Sequence, residues 1–107
     1  MKTDSLFDLS NEVAVVIGGT GALGGALCRA LAAAGAKTAV AGRNAERGSA
    51  RVEEIEKEGG IARFFEADTS SRSSLEALSN AVAATWGTPG ILVNAAGGND
   101  PKVTVTP

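Results

Sequence analysis

The stretch that decides the fold is Val13-Ala14-Val15-Val16-Ile17, followed at once by Gly18-Gly19-Thr20-Gly21-Ala22-Leu23-Gly24-Gly25. Five apolar residues without alternation predict a strand covered on both faces, as in a parallel sheet. The glycines end it. Leu23, Ala26, Leu27, Ala30, Leu31 and Ala34 then recur at helical spacing, with Gly35 placed to close the helix as its C′ residue. Strand, glycine turn and helix in that order are the opening of a β-α-β unit.

The same grammar repeats outward along the chain. Lys37-Thr38-Ala39-Val40-Ala41 reads as a second strand. Asn44 to Glu58 reads as a second helix, with Asn44 as N-cap, Ala45, Gly48, Val52 and Ile55 facing inward, and Gly59-Gly60 as the stop. Ile61 to Ala67 forms the third strand. Ser71 to Trp86 forms the third helix, with Leu75, Leu78, Val82 and Trp86 on one face and Gly87 behind it. Gly90 to Asn94 forms the fourth strand.

The order βαβαβαβ predicts an α/β fold: a parallel sheet with right-handed crossovers, helices on both faces and strand order 3-2-1-4. It is an incomplete doubly wound, Rossmann-like domain over residues 1–107. Pro101 to Pro107 is expected to add no further strand, so the outer edge of the fourth strand should be unpaired and prone to self-association.

Composition narrows the chemistry. Ten Lys+Arg against twelve Asp+Glu, a net charge of −2, leave no basic excess for a nucleic-acid or anionic-membrane partner. The chain has no His, which excludes Ser–His–Asp and Cys–His catalysis and His-ligated zinc within it. It has no Tyr. Cys28 is the single cysteine, is expected to be packed, and has no internal disulfide partner. The uncharged run Ala77 to Asn99 is interrupted by Ser79, Asn80, Thr85, Thr88, Pro89 and Asn94, and charges near Met1 replace a signal-peptide core. A soluble, cytoplasmic protein is expected.

Two charged or aromatic groupings are read as structural. Glu53, Glu54, Glu56 and Glu58 share a helix with Arg47, Arg51 and Lys57, and form a solvated face with Glu53–Lys57 as a supporting pair; no metal site is assigned. Phe64, Phe65 and Trp86 are read as packing residues.

The turn itself carries a ligand expectation. Gly19-Thr20-Gly21-Ala22-Leu23-Gly24 fits GxGxxG between a strand and a helix, where glycines let the backbone approach a pyrophosphate held by free N–H groups. At the end of the second strand, Gly42 stands where an acid would hold the ribose hydroxyls, and Arg43 follows it. A missing carboxylate and an adjacent guanidinium favour NADP(H) over NAD(H).

These features together resemble the classical short-chain dehydrogenase/reductase family. Its T-G-x-x-x-G-x-G signature aligns with Ile17-Gly18-Gly19-Thr20-Gly21-Ala22-Leu23-Gly24, with Ile17 for Thr and Ala22 for the middle Gly. Its adenine-contacting Asp matches Asp68, followed by Thr69, although Asp68 also suits the N-cap of the third helix. Its N-N-A-G segment matches Asn94-Ala95-Ala96-Gly97, with Ala95 for the second Asn. The run Asn94 to Pro101 is also similar to the mannonate or sugar-acid oxidoreductase subgroup.

The resemblance implies a cofactor site built from Gly18, Thr20, Gly21, Leu23, Gly24, Arg43, Asn44, Asp68, Thr69, Asn94, Ala95, Ala96 and Gly97. It implies hydride transfer between NADP(H) and a small alcohol or carbonyl substrate, in a protein that is a homo-oligomer when complete. The family's Tyr-x-x-x-Lys pair has no counterpart here, so no catalytic residue is assigned beyond a supporting Asn94, and the chain alone is expected to be inactive. The alternative is a non-catalytic dinucleotide-binding module completed by a partner chain.

Overall fold

The computed structural model describes residues 8–68 and 70–95, together with the backbone of 102–105. Its elements in order are β1 (Val13–Ile17), α1 (Ala22–Ala33), β2 (Lys37–Gly42), α2 (Ala45–Lys57), β3 (Ile61–Glu66), α3 (Arg72–Trp86), β4 (Ile91–Asn94) and β5 (Lys102–Val105). The sheet runs β3-β2-β1-β4-β5. Its first four strands are parallel and take the predicted 3-2-1-4 order.

Alternation of side chains across the pleat divides the core in two. Ala14 and Val16 of β1 face one layer with Val40, Ile91 and Val93, under Cys28 and Ala32 of α1 and Ile55 of α2. Val13, Val15 and Ile17 face the other with Ala39 and Ala41, under Leu78 and Val82 of α3. A strand that supplies both layers has no polar face to spare, hence its unbroken apolar run. Leu92 lines a cavity on the α3 side with Val15, Ile17, Leu75 and Leu78, and remains 39% exposed.

Close approach explains several residues. A Cβ at Gly48 would lie 2.0 Å from Phe64 Cδ1, so α2 settles onto β3 only with glycine there. Phe65 and Trp86 meet edge to face, with ring centroids 6.1 Å apart, which confirms their packing role. Cys28 is fully buried. Burial pushes its thiol up to about 12, so it is an inert packing group.

Four expectations are corrected. The tail is not featureless: β5 runs antiparallel to β4, pairing Ile91 with Val105 and Asn94 with Lys102, so the outer edge of β4 is occupied. An antiparallel return needs no crossover helix, which lets a short tail satisfy that edge. Ala45 is exposed, because it stands at the first position of α2 before the helix reaches the sheet. Arg51 pairs with Glu54 at 3.2 Å and Arg29 with Glu58 at 3.5 Å, in place of Glu53–Lys57. The N-cap of α3 is Ser71, whose hydroxyl accepts from Ser74 N, and not Asp68.

Among the described residues no helix is long and apolar enough to cross a membrane.

Candidate functional site

Parallel strands deliver their carboxyl ends to one edge of the sheet. The register sets Ile17 beside Ala41 and Asn94, and Gly42 beside Glu66. The glycine turn, Arg43, Asp68 and Asn94-Ala95 therefore share that edge. The crossover leaving β1 runs over one face and the one entering β4 over the other, which makes the β1–β4 boundary the point where the topology switches and where such folds hold their ligands.

The turn after β1 is built tightly. Gly18 adopts φ 82°, a left-handed conformation that favours glycine. Its N–H and that of Gly19 both donate to Ala41 O, at 2.9 and 3.1 Å, and Gly21 N donates to Gly18 O at 3.1 Å. A Cβ at Gly24 would sit 2.0 Å from Gly18 O and 2.8 Å from Gly19 Cα, so α1 starts directly against the turn. Gly19 is also constrained, since its Cβ would lie 3.0 Å from Cys28 Sγ. Ala95 N donates to Ile17 O at 2.8 Å, tying the segment after β4 to the same turn.

The start of α1 is chemically bare. Gly21 is its N-cap and makes no side-chain cap bond, and the first turn holds no acid. The N–H groups of Ala22, Leu23 and Gly24 thus point out of the helix without intrahelical acceptors. Bare amides, the positive end of the helix dipole and a cradle that a Cβ would fill together suit a diphosphate. Leu23 lies 50% exposed beside them, an apolar surface next to a polar one.

Around the turn lie two cavities. One, of about 530 Å³, is lined by Arg43, Glu66, Ala67, Asp68 and Ser74. Arg43 Nη1 lies 3.7 Å from Asp68 Oδ1, and Asp68 N donates to Ser74 Oγ at 2.9 Å. Asp68 Oδ1 accepts from Ser70 Oγ at 2.7 Å and from Ser70 N at 3.0 Å. These Ser70 bonds, with Arg43 adding less, hold its carboxyl below the usual carboxylate range.

The second cavity, of about 380 Å³, is lined by Thr20, Gly21, Ala22, Arg47, Ala50 and Arg51. Sequence reasoning placed Arg47 and Arg51 on a solvated face. In the fold Arg51 lies across α1, and a Cβ at Gly25 would come within 2.5 Å of its Nε. The readable signal was their i,i+4 spacing, which puts both on one side of α2.

The structure thus gathers Gly18, Thr20, Gly21, Leu23, Gly24, Arg43, Asn44, Asp68, Asn94 and Ala95 at one end of the sheet. Asn44 has a local duty there, its Oδ1 accepting from Arg47 N at 3.0 Å. Thr69, Ala96 and Gly97 lie outside the described residues.

Comparison with known proteins matches residues 12–106 to the short chain dehydrogenase family model. The uncharacterized oxidoreductase UxuB of Bacillus subtilis is 42% identical over 94 residues, 88% of this chain and 34% of its own length. D-threitol dehydrogenase of Mycolicibacterium smegmatis is 36% identical over 97 residues, 91% of this chain and 37% of its own. Among solved structures, a Haemophilus influenza protein assigned as a D-mannonate oxidoreductase, with bound NAD, superposes with TM-score 0.81 at 29% identity. That match covers 87% of this chain and 33% of the other. Actinorhodin polyketide ketoreductase with NADPH gives TM-score 0.78 at 33% identity, over 81% of this chain and 33% of the other. The chain spans about a third of the length of these relatives. With its turn, strand order and sequence in agreement, this chain belongs to the short-chain dehydrogenase family.

Proposed function

We propose that this chain is the cofactor-binding part of an NADP(H)-dependent oxidoreductase acting on a small hydroxylated substrate of the sugar-acid class. The observation that carries the reading is the bare start of α1, seated against Gly18 with no side-chain cap bond among the described residues. The amides of Ala22, Leu23 and Gly24 would hold the pyrophosphate, and the cleft of Arg43, Asp68 and Ser74 would receive the adenosine end. Asn94 and Ala95, held to the turn through Ile17, would line the floor beneath the nicotinamide ribose. Bound nicotinamide supplies a hydride donor or acceptor. These residues bind and orient it. By the family resemblance, proton delivery to the substrate would fall to a Tyr-x-x-x-Lys pair, which has no counterpart in these 107 residues.

Cofactor preference follows from β2. Gly42 offers no carboxylate to repel a ribose phosphate, and cations stand nearby at Arg43 and Arg47. The sugar-acid class is supported by the resemblance to relatives that carry polyol and sugar-acid activities in their names.

The test is Gly21→Asp with calorimetric titration of NADPH and NADH. A Cβ at Gly21 meets only Gly18 O, at an ordinary 3.6 Å, and the backbone there is extended. Asp is a good N-cap, so the thermal midpoint should hold or rise. Its carboxylate beside the anion site should weaken both cofactors by about tenfold or more, the scale of a lost charge-assisted contact. Undiminished binding by a folded Gly21→Asp chain overturns the assignment.

A further inference from the structure

We infer that a buried seat beneath Gly19, formed by Cys28 of α1 and Val40 of β2, positions the phosphate turn. The size of the seat sets how closely the bare start of α1 approaches the turn, and so where its open amides lie. This rests on the cofactor reading above and assigns the geometry of that site to two positioning residues, both fully buried.

Gly19 is held from two elements at once. Its N–H donates to Ala41 O at 3.1 Å, beside that of Gly18 at 2.9 Å, which pins the turn to β2. A Cβ built on Gly19 would lie 3.0 Å from Cys28 Sγ, 3.1 Å from Val40 Cγ1 and 3.1 Å from Val16 O. All three distances are shorter than ordinary van der Waals contact between such atoms, so the space beneath Gly19 is filled and admits no further carbon.

Gly24 and Cys28 stand one helical turn apart and turn the same face of α1 toward Gly19. Gly24 makes the second contact, a Cβ there lying 2.8 Å from Gly19 Cα, and its N–H is one of the open donors at the helix start. A larger side chain at 28 therefore levers α1 off a turn that β2 holds in place, and carries that donor with it. A larger side chain at 40 presses on Gly19 from the sheet. Shrinking the seat acts differently. A smaller residue at 28 leaves a void, while the bonds to Ala41 O and the Gly24 contact keep the turn in position. The thiol thus works through its volume and not through its sulfur chemistry.

The test reads affinity and stability separately, by calorimetric titration of NADPH and NADH and by urea unfolding. Cys28→Val and Val40→Ile enlarge the seat from its two sides. Each should weaken both cofactors by about tenfold, the scale of a displacement well under 1 Å at a site whose geometry must be exact. Cys28→Ala reduces the seat and should lower stability while holding affinity within about twofold. Ile55→Val is the control: Ile55 is buried in the same core layer but beside Gly60, before β3, so its loss should also lower stability and spare affinity. Where one enlarged variant fails to fold, the other carries the reading. Unchanged affinity in a folded Cys28→Val or Val40→Ile chain overturns the inference. So does an equal loss of affinity in Cys28→Ala or Ile55→Val, because binding would then merely follow stability. Failure of the unmodified chain to bind either cofactor removes instead the cofactor reading beneath it.

Discussion

Two helices of this chain begin with a side chain folded back over their first turn, and one does not. Asn44 Oδ1 accepts from Arg47 N at α2, and Ser71 Oγ accepts from Ser74 N at α3. At α1 the corresponding position is Gly21, with no cap bond. Capping satisfies a donor that would otherwise go unpaired, and typically stabilises by about 1 kcal/mol. Leaving α1 uncapped gives that up at the one helix that starts between the two central strands. The capped ends serve the fold, and the bare end leaves its donors open for the anion proposed above.

The contrast can be broken most severely at Gly24. In Gly24→Ala the new methyl would press 2.0 Å from Gly18 O, backbone against which no rotamer gives relief. A loss of about 3 kcal/mol, the upper part of the overpacking range, is expected in urea unfolding, with NADPH binding abolished. A Gly24→Ala protein of unchanged stability would show that α1 does not rest on the turn.

The opposite manipulation sharpens the contrast. Asn44→Ala and Ser71→Ala each remove a real cap, and each should lower stability by about 1 kcal/mol. Ser71→Ala should leave NADPH affinity within twofold or so, because the hydroxyl it removes is not among the side chains that line the cleft, and Ser74, whose N–H it caps, keeps its own side chain there. Chemical denaturation paired with cofactor titration reads both. A cap removal that changed binding and not stability would reverse the roles assigned here.

The smallest effect concerns acid. Asp68 holds the turn before α3 through its Ser70 bonds, and its carboxyl titrates below the usual range. A group whose folded pKa is depressed contributes stability above its unfolded pKa, and that contribution fades as pH falls through the folded value. The thermal midpoint of the chain should therefore exceed that of Asp68→Asn slightly at neutral pH. The gap should close on acidification below the ordinary carboxylate range. A gap that widened in acid would contradict the hydrogen-bonded turn.

Much of this was legible beforehand. The run Val13–Ile17 is apolar on consecutive residues because it serves two layers, and such a pattern survives in one dimension. Gly35, Gly59 and Gly87 mark helix ends by positive φ, a local requirement equally visible in sequence. Other features depend on partners far along the chain. That Gly48 admits Phe64, that Gly25 admits Arg51 and that Gly42 faces Thr20 are packing facts with no local signature. The pairing of β5 with β4 escaped for the same reason, since a four-residue tail strand needs its neighbour to be recognised.

The sequence by itself determined the alternation of strands and helices, the 3-2-1-4 order and the place of the glycine turn between β1 and α1. Periodicity and glycine conformation are properties of neighbours in the chain, and the handedness of crossovers then leaves few topologies. Only the tertiary structure decided which charges meet. Arg43 faces Asp68, and Arg47 and Arg51 border Thr20. Charges act through distances across space, and those distances exist only once the helices have docked on the sheet.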